Sequence, residues 1–296
     1  RGDMAFRGFK IGGLELLAYL PPRTARNIRT AGGLLGDPVE HGPSDDGLDP
    51  RDREATNAVA QGSLAERVAA IEWYHTIDLG GGIVTPGWFD LRPLLGQYPI
   101  PDRLDGMRVL DVATFDGFWA FEFERRGAAE VVALDIDSFA EVDMAPRIRR
   151  QKSAAYLAQR TGLGFQLAAE ALGSRVRRVC LNVYELSPEK VGKFDVVFIS
   201  DVLLHLMNPM KALANVCSVT AGKAIIVGVY NPVLPAKLMS YESGETHNTW
   251  WDFSFGALEQ MIRDAGFSSV DLHARIPLGY QGAKAILSQA AFVATP

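Results

Sequence analysis

From Arg108 onward, short apolar runs rich in β-branched residues alternate with stretches of helical periodicity. "RVLDVA" reads as a strand, "GFWAFEFERR" as a helix closed by Gly127, and "EVVALDI" as a second strand. A long helical stretch is expected over about Met144 to Gln159, followed by "RRVCLNV" and "FDVVFIS" as strands. Met210 to Val219 predicts a helix that stops near Gly222, ahead of the strand "KAIIVGVY". "FGALEQMIRDAGF" is helical up to Gly266, and "SVDLH" and "KAILSQAAFVA" close the chain as two strands joined by a short loop. Strands buried on both faces read as continuous apolar runs. The alternation therefore predicts a doubly wound α/β domain, with a mostly parallel sheet and an antiparallel hairpin at one edge.

The pattern before Arg108 is different. Ser63, with Glu66 three residues later, carries a capping-box signature for a helix running through "LAERVAAIEWYH". The stretch "GDPVEHGPSDDGLDPRDRE" has almost no periodic apolar residues and reads as a loop or linker. Leu14 to Leu20 could form a short helix stopped by Pro21-Pro22. Residues 1–62 are thus expected to be an arm and linker, serving packing or homodimerisation, and residues 63–296 the main domain. The apolar stretch "IGGLELLAYL" contains Glu15 and is too short to span a bilayer, which needs about 20 residues, so no membrane partner is expected.

Charge changes the picture modestly. The formal net charge is −5, whereas proteins that grip long nucleic acid usually show a basic face. The clusters "RIRRQK" and "RVRR" carry no interleaved aromatics and read as solvated faces, so a small-molecule acceptor is favoured over nucleic acid. Cys180 and Cys217 match no metal or redox spacing. They are expected as small buried side chains in a reducing cytoplasm.

In doubly wound sheets, ligands bind outside the carboxyl ends of the strands where the strand order reverses. The first strand-loop-helix, "VLDVATFDGFWA", belongs at that point. A dinucleotide fingerprint needs G-x-G-x-x-G so that backbone can approach a pyrophosphate, and this loop lacks that spacing. Phe115 would also crowd a pyrophosphate. S-adenosylmethionine has no phosphate and asks less of the loop. Asp111 could hold its ammonium or shape the loop, and Gly117 could allow close backbone approach. Ala113 is tolerable where φ is negative, Thr114 lies between, and Phe115 fits if its ring points away. Asp135, with Ile136 beside it, stands about twenty positions on, where an acidic residue takes ribose hydroxyls. Asn182 and Val183 close the third strand as the adenine wall, and Ser200 and Asp201 reach the pocket mouth.

The order "VLDVATFDG…VVALDID…FDVVFISDVLLHLMNP…TAGKAIIVG" resembles the class I S-adenosylmethionine-dependent methyltransferases, over roughly residues 70 to 296. That resemblance implies a seven-stranded Rossmann-like fold and methyl transfer with S-adenosylhomocysteine as product. "WYHTIDLGGGIVTPGWFD" and "NTWWDFSFGALEQMIRDAGF" resemble a branch holding bacterial tRNA wobble-uridine carboxymethyltransferases and related small-molecule methyltransferases. The tRNA enzymes use a carboxylated cofactor and follow a Tyr-His pair after strand four with arginines. Leu204-His205-Leu206-Met207 stands here instead. A buried carboxylate without a cationic partner costs several kcal/mol, which implies ordinary S-adenosylmethionine.

On the acceptor side, a hydroxyl or protonated amine requires a general base, and His suits neutral pH. His205 is the first candidate, with a structural role at the next helix as its counterpart, and His75 the second, as base or acceptor contact. His247 lies in the loop-like "ESGETHNT", while His41 and His273 read as surface residues. Trp73, Trp88, Trp250 and Trp251 flank the carboxyl edge, either as core or as walls around a flat or cyclic acceptor. "GGGIVTPGW" suits a hinge, a close backbone contact or a cover. No cluster makes a convincing metal site; Asp201 with Asn208 is the one magnesium option.

Overall fold

The computed structural model describes residues 62–242, 248–281 and 286–296. Its centre is a seven-stranded sheet in the order β3-β2-β1-β4-β5-β9-β8. The strands are β1 (Arg108–Val112), β2 (Glu130–Asp135), β3 (Arg177–Cys180), β4 (Phe194–Ser200), β5 (Thr220–Val229), β8 (Ser269–Gly279) and β9 (Ile286–Thr295). β1 to β5 are mutually parallel. β9 inserts antiparallel between β5 and β8. The order reverses between β1 and β4, so their carboxyl ends open a crevice. A separate ribbon pairs β6 (Met239–Tyr241) with β7 (Trp251–Phe253) beside that edge.

Both faces of the sheet are covered, as the apolar runs require. On one face α7 (Pro209–Val219) and α8 (Phe255–Asp264) bury Leu213, Val216, Leu258 and Ile262 against β4, β5 and β9. On the other, α2 (Phe118–Arg125) and α5 (Leu163–Leu172) bury Phe123, Phe165 and Leu167, joined by residues 73–100. No helix among the described residues is long and apolar enough to cross a membrane.

The capping box forms: the Ser63 side chain accepts from Glu66 N, and the Glu66 carboxylate accepts from Ser63 N at 2.8 Å. The helix, α1 (Leu64–Ala69), is shorter than its pattern suggests. Beyond it the chain turns extended because its backbone donors find partners elsewhere. The carboxylate of Asp116 takes the N–H groups of Tyr74 and His75, and Phe89 N donates to Tyr74 O. Gly87 permits this pairing, since a Cβ there would lie 2.0 Å from the His75 carbonyl carbon. "GGGIVTPGW" is therefore a close backbone contact that fixes His75.

The single helix expected over Met144 to Gln159 is instead two short ones, α3 (Pro146–Arg149) and α4 (Ala154–Ala158). Pro146 and the capping Ser153 each start a helix anew, and Arg149 donates to the carbonyls of Ala140 and Val142. α5, set between Gly162 and Gly173, has no counterpart in the sequence reading. A four-residue α6 (Pro188–Val191) precedes β4. The cysteines also differ from expectation. Cys180 is exposed because β3 lies at the sheet's edge, and Cys217, on α7, is half-buried; neither forms a disulfide. The arm before residue 62 and His41 lie outside the described residues.

Candidate functional site

At the carboxyl end of β1 the chain makes a tight loop into α2. Ala113 and Phe115 adopt left-handed backbone, with φ of 60° and 51°. The negative φ expected at Ala113 is corrected: the loop keeps the shape that glycines would give, at a cost of roughly 1–2 kcal/mol per residue. Asp111 stabilises that shape. It is fully buried, and its Oδ2 accepts the Thr114 hydroxyl at 2.6 Å. Burial pushes its carboxyl up to about 7, against the pull of that hydrogen bond. The ring of Phe115 points outward, 46% exposed and edge-on to Tyr74, leaving the loop interior open. Gly117 serves packing and does not line the cavity, since a Cβ there would meet the Phe121 ring at 2.4 Å and the Phe165 ring at 2.7 Å.

Asp135 ends β2 beside this loop and accepts from Phe115 N at 2.7 Å and Ile136 N at 2.8 Å. Burial raises it to about 6, opposed by those two backbone bonds. Asn182 and Val183 follow β3, with the Asn182 Oδ1 accepting from Tyr184 N at 3.0 Å. Asp111, Ala113, Phe115, Asp135, Ile136, Asn182, Val183 and Ser200 all line one cavity of about 300 Å³. Thr114 lies behind the wall, holding Asp111. Leu134, Phe139 and Leu181 add apolar surface. This is the size and character of a small-ligand pocket.

The other flank of the cavity is assembled from distant segments. His75, Trp119, Asp201 and His205 all line it. His75 is buried, stacked on Phe118 with centroids 5.3 Å apart, and its Nδ1 pairs with Oδ1 of Asp116. Asp116 is itself buried, and its Oδ2 takes the backbone N–H groups of Tyr74 at 3.0 Å and His75 at 2.8 Å. A carboxylate so placed holds a proton on Nδ1 and turns Nε2 into the acceptor. Asp116 was missed in the sequence. It stands in the cofactor loop itself, and only the fold sets it against a residue 41 positions away. His205, by contrast, directs Nδ1 to the Asn248 carbonyl at 3.3 Å.

Asp201 has φ 52° and lies half-buried just past the end of β4. Burial raises its carboxyl to about 6, against hydrogen bonds from Ser200 and Gln289. Five non-glycine residues among those described have positive φ, and Ala113, Phe115, Asp201 and Asn248, four of them, line this cavity. Backbone strain of this kind clusters at functional sites.

The tryptophans expected as acceptor walls lie outside the cavity lining. Trp73 is core, with Nε1 donating to Val68 O at 2.9 Å. Trp88 is exposed near Tyr74 and Tyr280. Trp250 donates to Asp143 O at 2.5 Å, and Trp251 to Met207 O at 3.3 Å, so both fasten the β6–β7 ribbon to the rim. The aromatic that does reach the cavity is Trp119. His247 lies outside the described residues, and His273 is exposed as expected. No group of three His, Cys, Asp or Glu among the described residues could hold a metal ion. Asn208 instead caps α7, accepting from Lys211 N at 3.1 Å.

Residues 110–227, under half of the chain, match the family model described as a methyltransferase domain. No curated relative matches the sequence. Among solved structures the chain is similar to the N-terminal domain of EvdMO1 with S-adenosylhomocysteine bound, at 15% identity and TM-score 0.52, covering 85% of this chain and 99% of that one. The same domain in the presence of S-adenosylhomocysteine and D-fucose gives 15% identity, TM-score 0.51 and the same 85% and 99% coverage. The chain is also similar to Burkholderia thailandensis 1,6-didemethyltoxoflavin-N1-methyltransferase, at 16% identity, TM-score 0.44 and coverage of 88% and 94%. The matched segment runs from β1 into β5 and includes Asp111, Asp135, Asn182 and Asp201 of the cavity wall. Residues 110–227 thus carry a match to a methyltransferase domain, on a fold shared with structures that hold S-adenosylhomocysteine.

Proposed function

We propose that the protein methylates a hydroxyl group of a small molecule, such as a natural product or sugar, in the cytoplasm. The observation that carries this reading is the buried His75–Asp116 pair in the wall of the cavity that Asp111 and Asp135 also line. A hydroxyl is a poor nucleophile at neutral pH and gains most from a positioned base. Asp135 would take the ribose hydroxyls, with Asn182 and Val183 beside the adenine and Asp111 shaping the loop under the methionine tail. When bound, S-adenosylmethionine supplies an electrophilic methyl on a sulfonium that departs as a neutral thioether.

With the acceptor and S-adenosylmethionine both bound, His75 Nε2 would take the proton of the acceptor hydroxyl as that oxygen receives the methyl group. Asp116 stabilises the imidazolium that forms, and the proton then passes to solvent. The walls that hold the two reactants in line contribute the rest, since displacement gains greatly from orientation. His205 is the other candidate for the base. The methyltransferase unit on this reading extends over residues 63–296, beginning at the capped α1.

The surface supports a small acceptor over tRNA. The arginines of the 175–178 cluster are paired with acids: Arg175 with Glu124 at 3.8 Å, Arg177 with Glu130 at 3.2 Å and Arg178 with Asp137 at 3.3 Å. Such arginines are not available for phosphates without breaking those pairs. The test is incubation with methyl-labelled S-adenosylmethionine and either fractionated metabolites or total tRNA. Label in a small alcohol-derived ether is the expected product; label in tRNA alone would overturn the reading.

A further inference from the structure

A second cavity, of about 290 Å³, lies just past the end of β5, where α8 begins, and shares no lining residue with the first. Its wall joins segments far apart in sequence: Tyr230 and the residues after it, the first turn of α8, and Arg275 of β8. Leu234, Ala236 and Phe255 give it an apolar side. Arg275 is the one charged residue in the lining, in a chain of formal net charge −5.

Two side chains of this wall carry polar groups with nothing to bond. Tyr230 is only 8% exposed, and its hydroxyl has no hydrogen-bond partner among the described residues. That hydroxyl is not among the unpaired atoms sealed from all access, so the surface left to it opens on the cavity that Tyr230 lines. Arg275 is exposed, and its guanidinium has neither an acidic partner nor a hydrogen-bond acceptor among the described residues. It is held in place by an aromatic face instead, with Cζ 4.2 Å from the Phe255 ring centroid. The Tyr230 ring meets that same Phe255 ring edge-on, with centroids 5.5 Å apart. Phe255 thus gathers the two groups around one side of the cavity.

The remaining polar capacity of the wall points to the same ligand chemistry. Ser254 Oγ caps α8, accepting from Ala257 N at 3.1 Å and from Leu238 N at 3.0 Å, and its own proton has no acceptor among the described residues. The N–H groups of Phe255 and Gly256, at the positive end of a ten-residue helix, are likewise without a partner among the described residues. Asn231 adds no free group, since its amide donates to Asp252 Oδ2 and accepts from Val233 N. What is left over is therefore a set of donors around one cation, and no carboxylate faces it from the lining. Such a set is satisfied by an anion.

We propose that this cavity is a binding site for a small organic carboxylate, separate from the methyl-transfer site. The carboxylate meets Arg275 and the donors at the start of α8, and an apolar body lies against Phe255 and Leu234. A single guanidinium matches a single charge, and its planar fork suits the two oxygens of a carboxylate. The apolar side distinguishes an aryl or acyl acid from a bare inorganic anion.

The test uses the whole chain with S-adenosylhomocysteine added to fill the first cavity, titrated with benzoate, benzyl alcohol and inorganic phosphate in ligand-observed NMR. Benzoate is expected to bind at least about 10-fold more tightly than benzyl alcohol, its neutral counterpart. Arg275→Gln is expected to abolish that preference, and Tyr230→Phe, which keeps the ring, to weaken benzoate by about 3- to 10-fold. Both variants should melt like the wild type and keep S-adenosylhomocysteine affinity, by calorimetry, within about 2-fold. No benzoate binding to the wild type, or equal binding of benzoate and benzyl alcohol, would overturn the proposal without reference to any variant. Benzoate affinity unaltered in both folded variants would place the acid elsewhere and also overturn it. Phosphate displacing benzoate at equal concentration would make this a general oxyanion site and sink the carboxylate assignment. The methyl-labelling experiment stands apart from all of these outcomes.

Discussion

The two flanks of the cavity are built in opposite ways. The β1–β3 flank consists of residues close in sequence to the strands that carry them. Asp135 has one oxygen engaged by Ile136 N and the other by Phe115 N of the neighbouring β1–α2 loop, and Asp111 is closed off by Thr114 three residues away. The β4–β5 flank joins residue 75 to 116, and 201 to 289 and 98. The first flank is set largely by strand ends and the loops beside them, whereas the second depends on side-chain contacts between segments far apart in sequence.

The sharpest way to break this comparison is His75→Ala. Turnover with the acceptor identified by labelling should fall about 100- to 10,000-fold while S-adenosylhomocysteine affinity holds. An unchanged kcat would transfer the base role to His205 or remove it. Next in size is a pH effect on the cofactor-free protein. Burial places Asp111 at about 7 and Asp135 and Asp201 at about 6, all above the ordinary 3.8. The native state then binds more protons than the unfolded state between about pH 4 and 7, so stability falls as pH rises through that window. Asp201→Asn should shrink the difference between denaturation curves at pH 4.5 and 7.5 by up to about 2 kcal/mol. A difference as large as the wild type's would mean that Asp201 is solvated.

Smaller effects sharpen the cofactor flank. Asp135→Ala should weaken S-adenosylhomocysteine by about 30-fold in calorimetry, or about 2 kcal/mol. Unchanged affinity would remove Asp135 from the ribose role. The smallest change is a gain. Ala113→Gly relieves a left-handed alanine, partly offset by the entropy of the unfolded chain, and should raise Tm by about 2 °C without altering cofactor affinity. A lower Tm would mean that the alanine methyl contributes packing that outweighs its strain.

Much of the fold was legible because its signals are local. Apolar runs placed all seven strands of the main sheet, and Ser63 with Glu66 marked the start of α1. The errors came where tertiary contacts overrode local pattern. The backbone of Tyr74 and His75 left its helical pattern for the Asp116 carboxylate, and Pro146 and Ser153 divided the expected long helix. Asp111, Asp135, Asn182 and Ser200 line the cavity, and the sequence could point to them because each lies at or near the carboxyl end of a strand. Trp119 drew no role beyond its place in the first helix, and the four tryptophans read as core or walls lie outside the cavity lining. Aromatic residue type does not reveal which way a ring faces.

The sequence by itself determined the parallel sheet, the crevice at its switch point and the acidic residues along its cofactor side. These follow from hydrophobic periodicity and strand ends, which are properties of contiguous residues. It also showed a loop too poor in glycine for a pyrophosphate. Only the tertiary structure decided that Ala113 and Phe115 still adopt left-handed backbone, with the Phe115 ring turned outward. Only it joined His75 to Asp116 and Asp201 to Gln289. Those facts depend on which distant groups satisfy each other when buried. That accounting can be made only after the chain has folded.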